Sequence, residues 1–369
     1  MRIAQISPLI ESVPPRLYGG TERIVSYLTE ELVRLGHDVT LFASRDSVTA
    51  ANLVPCAPMA LRLSDHNVDP IPHYMVMLDR LRLMADQFDI LHFHIDGLHF
   101  PLFARSHHAT ATTLHGRQDL PDLPFLYRYF PQMPLVAISH AQRLPIPSAH
   151  CASVIHHGLP LDLYRANTGE TQNYLAFLGR ISPEKRPDRA IQIARRAGIP
   201  LKIAAKVDTA DSQYFEACIK PLLSDGDVEF IGEINEHQKE EFLGNARALL
   251  FPIDWPEPFG LVMIEAMACG TPVLAFNCGS VPEVIDDGIS GRIVNTMEEA
   301  DIALPQVLAL DRATVRRQFE QRFSVTRMAE DYLALYRSLR INVPAIGTSP
   351  ETVREILPAR TSLGGLHVS

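Results

Sequence analysis

Residues 1–44 run MRIAQISPLIESVPPRLYGGTERIVSYLTEELVRLGHDVTLFAS. Arg2–Ser7 and Asp38–Ser44 are short runs rich in β-forming apolar residues. Between them, Ile24, Val25, Leu28, Leu32 and Leu35 recur at helical spacing, so Thr21–Leu35 reads as an amphipathic helix. Thr21 is the expected N-cap and Gly36 the expected stop. Strand, Gly19-Gly20 loop, helix and strand make a βαβ unit, and such a unit belongs to a parallel sheet.

The same alternation continues. Further strands are expected at Ile90–Ile95, Ala109–His115, Leu135–Ser139 and Ser153–His157. A second series begins near Tyr174, with strands at Tyr174–Ile181, Leu201–Lys206, Val228–Ile231, Ala248–Pro252, Val273–Phe276 and Arg292–Val294. Helices are expected at Pro187–Ala197, Gln238–Gly244 and Leu261–Ala268, the last ended by Gly270 and Pro272. The join over His157–Thr171, with Gly158, Pro160, Asn167 and Gly169, reads as a linker. Two doubly wound halves would then face a cleft at the C-terminal ends of their strands. The expected division is 1–160, 161–325, a helical segment 326–345 and a flexible tail 346–369.

Composition narrows the function. The chain has 369 residues, 46% of them hydrophobic, and a formal net charge of −9. Bulk nucleic-acid binding is not expected of so acidic a chain. No apolar run approaches the roughly 20 residues of a membrane span. Met1-Arg2-Ile3 enters a strand-like stretch directly, so no signal peptide is expected. The five cysteines lack metal-ligand spacing, which suits a reduced, cytoplasmic protein without structural disulfides.

Trp255-Pro256-Glu257-Pro258-Phe259-Gly260-Leu261-Val262-Met263-Ile264-Glu265 carries the chemistry. Pro256 and Pro258 hold the backbone extended ahead of a helix whose first turn offers N–H groups and a positive dipole end. Glu257 on the loop can accept hydrogen bonds from sugar hydroxyls, and Glu265 lies one turn into the helix. A carboxylate inside an apolar run is costly to bury without a partner. Gly179-Arg180 through Lys185 closes a strand with a guanidinium fork and a mobile ammonium, a pair suited to a diphosphate; a solvated basic loop is the alternative.

Gly19-Gly20 lets backbone N–H groups approach an anion, although a plain turn explains it equally well and it is not GxGxxG. His115 ends a strand at the presumed cleft edge, where it can hydrogen-bond a sugar or only cap the strand. His92 and His94 share a strand face, and His107-His108 and His156-His157 are adjacent pairs. None has the spacing of a metal site, so no metal is expected. Ser139 has no Asp-His arrangement around it, which argues against a hydrolase triad. Gly279 through Glu283 and Asp287 through Gly291 read as turns.

On these motifs the chain resembles the retaining glycosyltransferase family 4, whose architecture is the α/β GT-B fold of two Rossmann-like domains. The resemblance covers most of residues 1–340. It rests on Gly179-Arg180 through Lys185 and on Glu257–Glu265, with support from Tyr18-Gly19-Gly20, Leu114-His115-Gly116, Gly279–Glu283 and Gly288–Gly291. It implies a metal-independent, cofactor-free hexosyltransferase using a nucleotide-sugar donor, UDP-hexose favoured.

In that resemblance Arg180 and Lys185 bind the diphosphate, Glu265 the ribose, and Glu257 with Phe259, Gly260 and Leu261 the sugar and distal phosphate. His115 lies near the anomeric carbon, Gly19 and Gly20 near phosphate or acceptor, and Glu233 and Ile234 near the base. His157-Gly158-Leu159-Pro160 departs from the family's usual Asn-Gly-Val-Asp. The final helix of similar proteins crosses back to the first domain. The acceptor would be a carbohydrate, a lipid-linked intermediate or a small molecule, and a lipid-linked one would bring peripheral membrane contact. A nucleotide-sugar epimerase of similar fold and a non-catalytic sugar-binding protein are the alternatives; a nicotinamide dehydrogenase lacks its glycine fingerprint.

Overall fold

The computed structural model describes residues 1–341 apart from Tyr18, Asp65, His66, Asn67 and Asp225. Tyr18 and the expected tail 346–369 therefore lie outside the described residues, as do residues 342–345 of the expected helical segment. The first half folds around strands β1 (Arg2–Ile6), β2 (Asp38–Ser44), β3 (Asn52–Ala57), β4 (Ile90–Phe93), β5 (Thr110–Thr113), β6 (Leu135–Ala137) and β7 (Cys151–Val154). They form one parallel sheet in the order β3-β2-β1-β4-β5-β6-β7. The second half contributes β8 (Leu175–Arg180), β9 (Leu201–Lys206), β10 (Val228–Gly232), β11 (Ala248–Phe251), β12 (Val273–Phe276) and β13 (Gly291–Val294). Their order, β10-β9-β8-β11-β12-β13, repeats the pattern in a second parallel sheet. The fold is α/β, with two Rossmann-like sheets.

Burial explains these strands. Every residue of β4, β5, β6, β11 and β12 is buried, because helices cover both faces of a parallel sheet. The Gly20–Arg34 helix turns Ile24, Val25, Leu28 and Leu32 onto the first sheet. Its N-cap is Gly19, not the expected Thr21, and no side chain caps it. The double glycine carries the backbone into the helix directly, which leaves Thr21 inside the first turn.

β4 and β5 stop two residues earlier than expected, so His94 and His115 sit just beyond the ladder at the strands' C-terminal ends. β3 escaped the sequence reading because Pro55 interrupts it; proline removes a ladder donor and is tolerated at a sheet edge.

The Leu261–Ala268 helix is apolar on nearly every side. Met263, Ile264, Ala266 and Met267 are fully buried, which suits a helix enclosed by the second sheet and the Arg312–Arg322 helix. The join expected as a linker is packed rather than free. Leu159 N–H donates to Phe323 O at 2.8 Å, Val325 N–H donates to Leu159 O at 2.8 Å, and Tyr164 is buried. The Val325–Ile341 helix lies against the Gly20–Arg34 helix, and Thr326 Oγ1 donates to Glu31 Oε1 at 2.5 Å. No helix among the described residues is long and apolar enough to cross a membrane.

Candidate active site between the two sheets

Strand order reverses between β1 and β4 in one sheet and between β8 and β11 in the other. Ligands of open α/β sheets settle in the crevices outside such switch points. Here the crevices meet in one cleft of about 530 Å3, lined from both halves. The N-terminal ends of two helices approach one another there: a Cβ placed on Gly20 would lie 3.6 Å from Leu261 Cδ1. Gly19, Gly20, His115, Arg180, Lys185, Glu233, Ile234, Glu257, Phe259, Gly260, Leu261 and Glu265 all line this cleft. Residues named separately along the sequence are thus brought to one place.

The loop that carries Glu257 is fixed from below. Gly279 has φ +57, and a Cβ there would fall 2.3 Å from Glu257 N, so only glycine permits the two backbones to pass. Ser280 N–H donates to Glu257 O at 3.0 Å, and Ser280 Oγ donates to Phe259 O at 2.8 Å. Gly260, at φ +79, turns the chain into the Leu261–Ala268 helix as its N-cap. The segment Gly279–Glu283, read from sequence as a turn, is therefore the support of this loop.

Each cation of the site is held by a carboxylate. Lys185 Nζ pairs with Glu257 Oε2 and lies 5.0 Å from the centre of the Trp255 ring. Trp255 Nε1 donates to the same Glu257 oxygen at 2.9 Å. Arg180 reaches Asp211 at 3.3 Å and Asp208 at 3.5 Å. Arg23, from the first half, pairs with Glu236 of the second. Arg62 meets Glu11 at 2.9 Å on the first half's side of the cleft. Burial pushes the Glu11, Glu22 and Glu236 carboxyls above their usual range.

Glu265 is only 2% exposed. Lys239 Nζ donates to its Oε1 at 2.7 Å, while Oε2 is buried with no hydrogen-bond partner among the described residues. A buried carboxylate oxygen left without a donor costs about 1–3 kcal/mol or more. A ligand hydroxyl reaching the cleft floor would satisfy it.

His115 presents a different character. Burial pushes its imidazole down to about 3, so it is neutral at physiological pH. Its Nε2 lies 2.8 Å from His94 Nδ1, and its ring stacks on His157 with centroids 5.4 Å apart. The His92–His94 pair does share a face, but that face meets Gln5, Thr113, Tyr332 and Tyr336 and no metal-ligand set. Among the described residues, Asp86, His107 and His108 form a surface group that could hold an ion, away from the cleft lining.

Sequence reasoning missed the partners. Lys239, Glu236, Asp208 and Asp211 take part in the site's electrostatics without forming a motif, and Trp255, inside the Trp255–Glu265 motif, has no role in the sequence reading. Glu283 is the largest omission. Its carboxylate accepts from His140 N–H and Ala141 N–H, both at 2.7 Å, and from His156 Nε2 at 3.1 Å. Burial pushes its carboxyl up, but those hydrogen bonds outweigh burial and hold it below the usual range.

Ser139 Oγ adds a further link between the halves, donating to Pro258 O at 2.7 Å. Glu283→Ala strands two backbone donors and should lower stability by about 1–3 kcal/mol. An unchanged urea midpoint in the variant would contradict this role.

Two family models match the chain: Glycosyltransferase Family 4 over residues 18–163, and Glycosyl transferases group 1 over residues 164–321. A D-inositol 3-phosphate glycosyltransferase of Mycolicibacterium smegmatis is 28% identical over 220 residues, covering 55% of this chain and 49% of its own. A protein from the cps region of Klebsiella pneumoniae is 27% identical over 205 residues, 50% of this chain and 54% of that one. The chain thus spans about half the length of the curated relatives it matches.

Among solved structures, AviGT4, a glycosyltransferase involved in avilamycin A biosynthesis, superposes with a TM-score of 0.71 at 24% identity, over 93% of this chain and 98% of that one. HepE of Anabaena, solved with UDP-glucose, gives 0.67 at 18% identity, over 92% of this chain and 100% of its own. These two likenesses establish the shared fold.

Proposed function

Because this chain belongs to the family 4 type of glycosyltransferases, with one family model on each half, we propose that it transfers a hexose from a nucleoside diphosphate donor to an acceptor hydroxyl. UDP-hexose is the favoured donor, the anomeric configuration is retained, and no divalent metal takes part. The observation that carries the reading is the unpartnered, buried Oε2 of Glu265 at the cleft floor, beside the N-terminus of its own helix.

Each group then has a part. Glu265 accepts from the ribose hydroxyls while Lys239 balances its charge. Arg180 and Lys185 turn from their carboxylates to the diphosphate, and the Leu261–Ala268 helix N-terminus faces the same charge. Stabilising the charge that develops on the departing diphosphate is usually the largest catalytic contribution in such sites. Glu257 positions the sugar and is not the nucleophile; its carboxylate accepts from hydroxyls once Lys185 moves.

The phosphate leaving on the attacked face accepts the acceptor's proton. His115, neutral and at the cleft edge, hydrogen-bonds the hexose. Phe259, Gly260 and Leu261 shape the sugar and distal-phosphate pocket, Gly19 and Gly20 close it from the first half, and Glu233 and Ile234 lie where the base would rest. HepE, of the same fold, was solved with UDP and glucose and with UDP-glucose, which supports a uridine donor here.

The domains would divide as expected from sequence, 1–160 for the acceptor and 161–325 for the donor. The acceptor is a carbohydrate, lipid-linked or small-molecule hydroxyl. Acceptor-independent conversion of the donor would instead mark an epimerase.

Glu265→Ala tests the reading. It should weaken UDP binding by about ten- to hundredfold, the loss of one or two hydrogen bonds to a charged group. Trp255, the single tryptophan of the chain, stands against Lys185 and reports binding by its fluorescence. Equal UDP affinity in variant and unmodified protein would refute the ribose assignment.

A further inference from the structure

A buried polar chain runs from the cleft to the Val325–Ile341 helix. Gln5 on β1, His92 on β4 and Thr113 on β5 share one face of the first sheet with His94 and His115 just past the strand ends. Tyr332 and Tyr336 descend onto that face from the helix. Gln5, His92, His94, Thr113, Tyr332 and Tyr336 are all 3% exposed or less. Polar groups so deeply buried are tolerated when they satisfy one another, and a satisfied network fixes a single arrangement.

We propose that Gln5 and His94 lock His115 in the tautomer protonated at Nε2, so that it shows the cleft a bare Nδ1, a hydrogen-bond acceptor. The polarity follows link by link. The Gln5 amide oxygen only accepts, and it lies 2.8 Å from His94 Nε2, so His94 carries its proton there. His94 Nδ1 is then a lone pair, 2.8 Å from His115 Nε2, which must donate to it. Nδ1 is the ring nitrogen left for the cleft that His115 lines.

The contacts on the far side of Gln5 can all be made with the amide in this sense. Its Nε2 donates to the Tyr336 hydroxyl at 3.3 Å. With the amide so placed, Tyr336 would donate to His92 Nδ1, 2.7 Å away, and His92 Nε2 to Thr113 Oγ1, also 2.7 Å away. Thr113 ends the series on the Tyr332 hydroxyl at 2.8 Å. The donors thus all point one way, from His115 through His94 and Gln5 to Tyr332, and reversing the amide would reverse the whole chain.

Gln5 and His94 are therefore positioning residues, acting on substrate through His115. This role rests on the sugar-transfer reading of the cleft. Its consequence is chemical: His115 can accept from a hydroxyl of the transferred sugar and cannot donate to a ring or phosphate oxygen. The ring plane is held as well, by the stack on His157, whose own ring meets the edge of Phe259 at 5.0 Å.

The test is a long-range proton–nitrogen NMR spectrum of the full chain labelled with 15N-histidine, with His115→Gln used to assign the resonance. The expected spectrum has His115 protonated at Nε2 and bare at Nδ1; a proton on Nδ1 would overturn the proposal. Gln5→Met, close in size and without the acceptor, should return a mixture of His115 tautomers. It should also lower kcat by about ten- to hundredfold, the scale of a misplaced contact at the reacting centre, with UDP affinity unchanged. An unchanged tautomer and kcat in that variant would equally overturn it. Failure of the unmodified protein to bind UDP would refute the sugar-transfer reading alone, since the tautomer is read without any ligand.

Discussion

Lys185→Ala should lower kcat/KM for the nucleotide sugar by about 10²–10³, the usual cost of removing one group that stabilises developing negative charge in a closed site. Lys185 is well placed for an effect of that size. Its side chain is only 17% exposed, so its charge acts through less water than a surface lysine. The Glu257 carboxylate and the faces of Trp255 and Phe251 hold it over the cleft.

Alanine removes these contacts and leaves Glu257 with the Trp255 indole N–H as its neighbour. The loss should fall on both donor affinity and kcat, because Lys185 faces the bound diphosphate and faces more charge as the bond breaks. Lys220→Ala, which breaks an exposed pair with Glu216, is the control and should leave turnover unchanged. Donor turnover of Lys185→Ala indistinguishable from that of the control would remove Lys185 from the chemistry.

Mild acid should destabilise the fold through its buried histidines. His92, His94, His99, His115 and His157 are buried, and desolvation holds each below its ordinary value. For His115 the folded value is about 3, against an unfolded value of about 6.5. Between those values the unfolded chain binds the proton and the folded chain does not. The stabilisation is therefore complete above the unfolded value and is lost as pH falls through it.

Where the unfolded ring is charged and the folded one neutral, each such histidine contributes a slope approaching about 1.4 kcal/mol per pH unit. Glu11, Glu22, Asp96 and Glu236 act in the opposite sense. Burial raises their folded values, so the folded chain holds the extra proton and gains stability as pH falls. Five histidines act in the one sense and these four carboxyls in the other. A net loss of about 3–5 kcal/mol, or about 10 °C in Tm, is expected between about pH 7.5 and about pH 5.5. Scanning calorimetry across that range checks it, and a flat Tm would mean that these histidines are not buried neutral.

The fold was legible wherever local pattern and burial agreed. The limits of the Pro187–Ala197 and Leu261–Ala268 helices follow from their prolines, glycines and apolar runs, and Leu201–Lys206 is a strand with the expected limits. Thr21 misled because a threonine before an apolar periodicity has the form of a cap, whereas Gly19 already turns the chain. Pro55 hid an edge strand.

The site was legible in its motifs and opaque in its pairings. Glu257 and Lys185 were read as separate donor groups, yet without donor they hold one another. Lys239 neutralises Glu265 from a helix twenty-six positions away in sequence, and Glu283 of the second half grips the first. Such contacts arise from tertiary packing and leave no periodic trace. Gln5 is the extreme case: a single amide inside an apolar strand, whose meaning depends on His94 and Tyr336 far along the chain.

The central claim is that one nucleoside diphosphate sugar lies in the cleft between the sheets, gripped without a metal. Calorimetric titration of UDP-glucose into the full chain, with a chelator present, tests it most directly. The expected result is a single site on the unmodified protein, weakened in both Lys185→Ala and Glu265→Ala. Undiminished binding in both variants, or no binding of any nucleoside diphosphate sugar by the unmodified chain, would contradict it.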